Sequence, residues 1–363
     1  MTERAKMPVD WIFPSTRYQG SKRKLLPWIY ENIKELEFES ALDIFGGTGV
    51  VSYLFKKMGK SVTYNDYLKC NAHIGEAIIE NDVVMLSGDD LRFLFDFKES
   101  QSKTSVEDTF KGIYYTDEEN RWIDCLVENI NRFDNIYSGL VLRHKKAIAY
   151  YALFQSCIIK RPFNLFHRNN LYLRTAEVSR SFGNKKVWDR PFEVLFRRFT
   201  EEANDLVFSN GKTNRVLNQN AFEIEDVNCD LVYIDPPYFS KTRTPIVSDY
   251  RRMYHFLEGI ARYDSWLDLI DYDSSNLRLK DNHNHCSTER GLVDALDKLF
   301  SRFANSIIVF SYKSPGVPTE EELVCLISKY KSNISVERRP YFYALNRSNG
   351  KPHQNIELLI IGQ

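Results

Sequence analysis

The stretch that decides the fold is ALDIFGGTGVVSYLFKKM, residues 41–58. It begins with the apolar run Ala41–Phe45, turns through the glycines of Phe45–Gly49, and continues as Val50–Met58 with apolar residues at helical spacing. The β-branched and aromatic segment Ser61–Asn65 follows after one crossover, as a βαβ unit requires. A strand, a tight turn, a helix and a second strand in this order predict the start of a parallel sheet.

Strand-like segments return only after a long interruption. From residue 76 to residue 204 the pattern is mostly helical or irregular. Four later segments have the apolar, β-branched character of strands: Val216–Asn218, Asp230–Ile234, Ser306–Ser311 and Gln354–Ile361. The sequence therefore predicts one discontinuous α/β domain, residues 14–75 and 205–363, interrupted by an inserted domain of residues 76–204.

The composition is typical of a folded protein from a reducing compartment. The chain has 363 residues, of which 43% are hydrophobic, enough to bury a core without disulfides or metals. Its six cysteines are scattered without a CxxC pair, which argues against a zinc ribbon. The N-terminal residues lack an apolar signal segment and no long apolar run occurs, so we expect a cytoplasmic protein without a membrane span.

The charges cancel overall but are unevenly distributed. Forty-nine basic residues balance forty-nine acidic ones. Residues 76–135 carry fifteen Asp or Glu against six Lys or Arg, whereas residues 141–200 carry thirteen Lys or Arg against three acids. An acidic segment followed by a basic one within the predicted insertion indicates a nucleic-acid partner.

The glycine turn of the first segment suits a nucleotide-like cofactor. Gly46, Gly47 and Gly49 let backbone N–H groups approach a ligand, and the following helix adds positive charge at its N-terminus. The spacing F-G-G-T-G departs from the GxGxxG dinucleotide fingerprint, so an ordinary strand-to-helix turn explains it equally well. Asp66 ends the second strand, where it can accept the hydroxyls of a ribose or, alternatively, cap the next helix.

The most informative segment is Leu231–Tyr238, in which an apolar strand ends in Asp-Pro-Pro-Tyr. Two consecutive prolines lack N–H donors and fix φ, so they hold the chain in a stiff exit from the strand. We expect this corner to direct the Asp235 carboxylate, the Pro236 carbonyl and the Tyr238 ring to one point at the carboxyl edge of the sheet. Two acceptors beside an aromatic face suit adenine, whose N6 amino group donates two hydrogen bonds. Accepting both hydrogens would direct the N6 lone pair at an electrophile.

These segments together resemble the S-adenosylmethionine-dependent DNA adenine-N6 methyltransferases, in the alpha group whose glycine motif precedes a target-recognition insertion and whose Asp-Pro-Pro-Tyr follows it. Arg17–Lys22 resembles the family's N-terminal motif, and Tyr254–Gly259 and Ile308–Tyr312 resemble later stretches. The resemblance implies a Rossmann-like class I methyltransferase with a mixed, mostly parallel seven-stranded sheet and an inserted, mainly helical target-recognition domain. It implies S-adenosylmethionine as the cofactor, with these binding residues: Tyr18, Lys22, Phe45, Gly46, Gly47, Gly49, Asp66, Asn220 and Asp235.

The resemblance also implies the chemistry, which is the flipping of an adenine out of duplex DNA and its methylation at N6. The catalytic residues that it implies form the tetrapeptide: Asp235, Pro236, Pro237 and Tyr238. In the family's pattern Tyr18 packs on the cofactor and Lys22 meets the cofactor carboxylate. Asn220 stands where the family often has an acidic residue, and an amide keeps the hydrogen-bonding capacity but not the charge.

The basic part of the insertion alternates cations and amides with aromatic residues from Lys160 to Arg174. Cations can contact phosphates and amides can read base edges, whereas a solvated face around an aromatic core is the alternative. The expected DNA contacts lie in this stretch and after the tetrapeptide: Lys160, Arg161, Asn164, His167, Arg168, Arg174, Lys241 and Arg243.

Alternatives stay open for the metal content, the substrate and the partners. His283, His285 and Cys286 resemble metal ligands, but no matching CxxC or HxxxH occurs and methyl transfer needs no metal, so we expect none. An RNA adenine-N6 methyltransferase is the nearest rival, ahead of a cytosine-N4 or glutamine-N5 enzyme and of a DNA-binding regulator with a decayed methyltransferase fold. The expected partner is double-stranded DNA. A restriction-modification system would add a cognate endonuclease, whereas an orphan or phage methylase would not. We expect a monomer, with a dimer as the alternative.

Overall fold

The computed structural model describes residues 7–15, 17–97, 104–166, 171, 185–225, 227–238, 249–280, 289–341, 347–348, 351–352 and 355–363. These residues form a seven-stranded sheet with helices around it. No helix within these ranges is long and apolar enough to cross a membrane.

The strands, in chain order, are β1 (Ser40–Asp43), β2 (Ser61–Asn65), β3 (Arg215–Leu217), β4 (Leu231–Ile234), β5 (Ile307–Ser314), β6 (Ile334–Tyr341), β7 (Arg347–Ser348), β8 (Lys351–Pro352) and β9 (Asn355–Gly362). The sheet has the order β3-β2-β1-β4-β5-β9-β6, and β7 pairs with β8 in a separate ribbon. The first five strands are parallel, whereas β9 runs antiparallel to both β5 and β6. The mixed, mostly parallel seven-stranded sheet is therefore confirmed.

The helices, in chain order, are α1 (Leu26–Ile33), α2 (Val50–Lys57), α3 (Lys69–Gly75), α4 (Gly88–Leu94), α5 (Ser105–Thr109), α6 (Asp117–Arg132), α7 (Gly139–Ile159), α8 (Lys185–Trp188), α9 (Phe192–Leu206), α10 (Tyr250–Met253), α11 (His255–Ala261), α12 (Trp266–Leu269), α13 (Glu289–Arg302) and α14 (Glu320–Ser328). The π-helical turn Glu76–Glu80 continues α3, and a 3₁₀ turn, Lys22–Leu25, precedes α1. Capping boxes begin α4, α6 and α14, since Ser or Thr at each N-cap exchanges hydrogen bonds with an acid three residues later.

The central strands explain where a ligand can bind. All four residues of β4 are buried, as expected for a parallel strand covered on both faces. The parallel register places Asp43 of β1 beside Tyr233 of β4, and Tyr64 of β2 beside Asp43. The carboxyl ends of β1, β2 and β4 therefore meet at one edge, which is where open α/β sheets bind ligands.

The secondary-structure elements that the structure describes between β2 and β3 are all helices, among them α4 to α9, joined by turns and irregular segments. These helices pack onto the sheet layer. The Tyr53 hydroxyl of α2 donates to the Leu206 carbonyl at the end of α9 (2.9 Å), and Tyr151 of α7 donates to Glu202 of α9 (2.8 Å). Buried residues of both parts belong to one hydrophobic cluster. The division into residues 14–75 with 205–363 and an insertion of residues 76–204 stays a prediction.

One main strand escaped the sequence pattern. Strand β6 lies at the edge of the sheet and alternates between half-buried and exposed residues, with Glu337, Arg338 and Arg339 exposed. An edge strand with charged residues and Pro340 lacks the apolar run that identified the other strands. The strands that the sequence did predict begin and end within a few residues of the observed bounds.

Candidate active site

The glycine turn connects β1 to α2 and packs against Tyr64. The Gly46 N–H donates to the Asn65 carbonyl (2.7 Å), and the Gly49 N–H donates to the Gly46 carbonyl (2.8 Å). Gly47 and Gly49 have φ angles of +52° and +71°, which side chains disfavour. A Cβ atom on Gly46 would lie 2.1 Å from a ring carbon of Tyr64. Glycine is therefore required at all three positions, and Gly46 and Gly47 are half-exposed at the edge of the sheet.

Asp66 holds the glycine turn from the end of β2. Its Oδ2 atom accepts the Gly47 N–H (2.8 Å) and its Oδ1 atom accepts the Leu68 N–H (2.8 Å). Burial raises the pKa of Asp66 to about 6, against the effect of these backbone hydrogen bonds. The acid that the sequence predicts as a ribose ligand thus lies directly beside the predicted cofactor turn.

The tetrapeptide leaves β4 at the same edge, and Lys22 contacts it. The Lys22 ammonium lies 3.1 Å from Oδ1 of Asp235. It also donates to the Tyr238 hydroxyl, which in turn donates to the same Asp235 oxygen (3.3 Å). Lys22 and Tyr238 are buried, and Asp235 is half-buried. Lys22, Tyr238 and Asp235 therefore form one hydrogen-bonded group, in which the Asp235 carboxylate accepts from the other two side chains.

A second carboxylate lies on the other side of the Lys22 ammonium. Oε2 of Glu357, on β9, is 3.5 Å from Nζ of Lys22, and the Glu357 side chain is 0% exposed. Burial alone would lower the pKa of Lys22, but Asp235 and Glu357 raise it above its ordinary value, so the ammonium stays charged. Burial raises the pKa of both carboxyls, and Lys22 opposes that rise.

The register of β1 and β4 brings the glycine turn and the tetrapeptide side by side. Asp43, the last residue of β1, accepts a hydrogen bond from the Ser52 hydroxyl (2.6 Å). Burial raises the pKa of Asp43 to about 7 against that hydrogen bond, and the carboxylates of Asp235 and Asp66 add to the rise. The carboxylates of Asp66 and Asp235 therefore both act electrostatically on the buried Asp43.

Tyr18 lies at this edge within a stack of tyrosines. Its ring is 4.0 Å from that of Tyr254 and 5.4 Å from that of Tyr250, both nearly parallel to it. The Tyr18 hydroxyl accepts a hydrogen bond from the Asn71 amide (3.2 Å), near Asp66. Tyr250 and Tyr254 were not among the predicted site residues, because their place in the stack depends on the packing of α10 and α11.

The D12 class N6 adenine-specific DNA methyltransferase family matches residues 18–271 of the chain, which include Tyr18, the glycine turn, Asp66 and the tetrapeptide. The chain belongs to this family. It is similar to the type II methyltransferase M2.HphI of Haemophilus parahaemolyticus, with 26% identity over 96% of this chain and 97% of that protein. It is also similar to two modification methylases, StsI of Streptococcus sanguinis and LlaI of Lactococcus lactis subsp. lactis. The identities are 25% and 26%, over 94% and 92% of this chain. The chain spans 51% and 52% of the lengths of these two relatives.

In this adenine methyltransferase, the remaining predicted cofactor ligands lie close to the turn. The Phe45 ring packs edge-on against Phe222 (5.8 Å between ring centroids). Asn220 bonds within its own turn, since its amide donates to Glu223 (2.9 Å) and its carbonyl accepts the Phe222 N–H (3.2 Å). A direct cofactor contact of Asn220 stays a prediction.

Two predicted DNA contacts of the methyltransferase, Lys160 and Arg161, are buried in the structure. The Lys160 ammonium donates to the Trp188 carbonyl (2.6 Å) and pairs with Glu119 (2.8 Å). The Arg161 guanidinium donates to the Tyr114 carbonyl (3.1 Å) and lies 4.4 Å from the centroid of the Tyr114 ring. The two residues are 1% and 2% exposed, and their contacts within the protein stabilise the fold. A DNA contact of either residue stays a prediction.

The other predicted DNA contacts remain predictions. Asn164 is half-buried in a 3₁₀ turn, with a φ of +58°. The following predicted contacts lie outside the described residues: His167, Arg168, Arg174, Lys241 and Arg243. The residues that resembled metal ligands also lie outside them: His283, His285 and Cys286. Within the part of the chain that the structure describes, no three His, Cys, Asp or Glu side chains form a group that could hold a metal ion.

Proposed function

We propose that this DNA adenine methyltransferase flips its target adenine out of duplex DNA and binds the N6 amino group at Asp235 and the Pro236 carbonyl. The observation that carries this proposal is the position of the Asp235 carboxylate. It is half-buried at the carboxyl edge of the sheet, beside the strand end that begins the glycine turn. A carboxylate and a carbonyl match the two hydrogens of an exocyclic amine.

We propose S-adenosylmethionine as the methyl donor, held by the glycine turn and Asp66. The half-exposed glycines leave room for close approach, and Asp66 can accept ribose hydroxyls in addition to its backbone hydrogen bonds. The carboxylates of Asp43, Asp66 and Asp235 favour a cationic ligand such as a sulfonium. When bound, the cofactor supplies an electrophilic methyl group. The site residues therefore fit this cofactor.

In this mechanism the protein acts by positioning and electrostatics. Asp235 accepts one N6–H and the Pro236 carbonyl the other, which directs the nitrogen lone pair away from the adenine ring. Tyr238 supplies the aromatic face for the base. Because the ammonium groups of Lys22 and Lys313 lie 4.9 and 5.3 Å from the centroid of the Tyr238 ring, we expect the stacked base to displace one of them.

The test compares Asp235→Ala with Asp230→Ala, which changes an exposed aspartate just before the opposite end of β4. The Asp230 carboxylate accepts hydrogen bonds from the N–H groups of Glu39 and Ser40 (2.9 Å each). Neither of these partners is among the residues proposed to bind the cofactor or the adenine. We expect Asp235→Ala to lower tritium transfer from labelled cofactor to duplex DNA by about a hundredfold or more, with cofactor binding still measurable by calorimetry. Asp230→Ala should retain transfer.

Transfer by Asp235→Ala at the wild-type rate contradicts the assigned role. Faster labelling of RNA than of duplex DNA by the wild-type protein favours the rival RNA enzyme.

We also propose that the protein is the modification enzyme of a restriction-modification system, with the segment of residues 76–204 selecting the target sequence. The names of its relatives, a type II methyltransferase and two modification methylases, support this proposal. Mapping of methylated adenines in DNA from cells that express the protein should give one short sequence at every modified site. Methylation without sequence preference contradicts the proposal, and protection against one endonuclease identifies the cognate partner.

A further inference from the structure

Glu357 is a buried acid in the active site to which no role has been assigned. It lies on β9, directly opposite Lys313 of β5 in the antiparallel register. Its carboxylate faces the Lys22 ammonium at 3.5 Å, and Lys22 faces Asp235 at 3.1 Å. The Lys22 ammonium thus lies between Asp235, just after β4, and Glu357, on the antiparallel strand β9.

This arrangement matters because Asp235 has two uses. In the structure one of its oxygens accepts from Lys22 and Tyr238. In the proposed mechanism the same carboxylate accepts an N6–H of the target adenine. Moving Asp235 away from a buried ammonium leaves that charge without its counter-ion, which is strongly unfavourable in a desolvated site. A second carboxylate on Lys22 removes that obstacle.

We propose that Glu357 is a positioning residue that retains Lys22 while Asp235 exchanges this lysine for the amino group of the target adenine. The proposal rests on the proposed role of Asp235. Glu357 does not touch the base and acts through Lys22. Its carboxylate also balances Lys313, whose ammonium lies over the Tyr238 ring, so the net charge around the tetrapeptide stays low when the adenine enters.

The variant that tests this role is Glu357→Gln, which keeps the size of the side chain and removes its charge. With Asp235 as the remaining carboxylate on Lys22, the Lys22–Asp235 pair tightens and competes with the adenine. We expect kcat to fall by about tenfold or more, with little change in the dissociation constant of the cofactor. Glu357→Asp keeps the charge and should restore part of the activity.

A binding measurement separates positioning from a general loss of structure. Two duplexes carry the mapped target sequence, one with adenine and one with purine, which lacks the N6 amino group. Both duplexes require opening of a base pair at the same position. The ratio of their two dissociation constants for one enzyme therefore measures the contact with the amino group. A difference in this ratio between variant and wild type reports a change in that contact. We expect Glu357→Gln to weaken the preference for adenine over purine by several-fold. The control is Asp124→Asn, another buried acid, which accepts the Val106 N–H (2.9 Å) far from the tetrapeptide in sequence. It should leave the ratio unchanged.

A double-mutant cycle completes the test. Since Glu357 acts through Lys22, Glu357→Gln should have no further effect on the adenine preference in a Lys22→Met background. An unchanged preference in Glu357→Gln, or an effect of the same size with and without Lys22, overturns the inference. If Glu357→Gln does not fold, Glu357→Met, which also removes the charge from a side chain of similar length, decides by the same ratio, and a wild-type ratio in that variant again overturns the inference. A wild-type enzyme with no preference for the amino group contradicts the proposed role of Asp235 instead, so the two failures are distinguishable.

Discussion

Replacement of Lys22 by methionine should destabilise the protein in a manner that depends on pH. Lys22 is 4% exposed, and its ammonium is the shared partner of Asp235 and Glu357. Methionine fills most of the volume of the lysine stem, so the principal loss is the positive charge. The variant leaves two carboxylates in a desolvated site from which their common cation has been removed.

The magnitude follows from the burial of the pair. Removal of one partner from a buried ion pair costs about 3–5 kcal/mol. Unfolding entropy of about 2.1 cal/mol/K per residue, over 363 residues, amounts to about 0.8 kcal/mol/K. We therefore expect the Tm of Lys22→Met at about pH 8 to be lower than that of the wild type by about 4–7 °C.

The pH dependence comes from the carboxyl groups. Burial already raises the pKa of Asp235 and Glu357 in the wild type, and Lys22 opposes the rise, so its removal raises both further. A folded-state pKa above the unfolded value of about 4 means that the folded protein binds the extra protons, so stability is lost as the pH increases. The stability difference between variant and wild type should therefore become smaller as the pH falls from about 8 toward the unfolded carboxyl value of about 4.

The assay is thermal unfolding of both proteins across this pH range, with Lys56→Met as the matched control. Lys56 is also buried, and its ammonium contacts the Asn81 carbonyl (2.9 Å) and Asp82 (3.2 Å), whose side chain is 35% exposed. Removal of Lys56 leaves no pair of buried acids without a cation. The pKa of Lys56, about 8, lies at the upper limit of the pH range of the assay. The control should lose stability by a nearly constant amount. A Lys22→Met loss that is equally constant with pH refutes the electrostatic explanation.

Two further predictions concern the cofactor turn and the buried cation Arg161. Gly46→Ala should force the Tyr64 ring away and weaken cofactor binding by about tenfold or more, because overpacking costs about 1–3 kcal/mol. Gly88→Ala is the control, since its Cβ would meet its nearest atom at 3.7 Å, and it should leave the cofactor affinity unchanged. Equal cofactor affinities of the two variants by calorimetry would contradict this prediction. Because Arg161 is buried, Arg161→Met should lower Tm through loss of the Tyr114 contacts while leaving the salt dependence of DNA binding unchanged. A smaller salt slope in the variant would contradict this and support the phosphate contact that the sequence predicts.

The sequence predicted the parts of the site that depend on local geometry. Residues 41–58 show the residue patterns of a strand, a turn and a helix within one short stretch. Glycine is required at position 46 because a Cβ atom would meet Tyr64, and at positions 47 and 49 because φ is positive. The tetrapeptide is similar, because its prolines act on the residues beside them. Glu357 was missed for the opposite reason. In sequence it is one acid among the apolar residues of β9, and only the pairing of β9 with β5 places it beside Lys22.

The uneven charge distribution indicated a nucleic-acid partner, but ion pairs within the fold also account for part of it. The acidic segment 76–135 and the basic segment 141–200 pair with each other across the helices. Among the described residues, four cations of the basic segment pair with acids of the acidic segment: Arg143 with Glu76 and Glu80, Lys145 with Asp90, Lys146 with Asp134, and Lys160 with Glu119. Part of the basic charge that indicated nucleic acid is therefore neutralised within the fold. A basic segment indicates a DNA-binding surface only to the extent that its cations exceed the acids packed against them, since a cation paired with a protein carboxylate gains less from a phosphate.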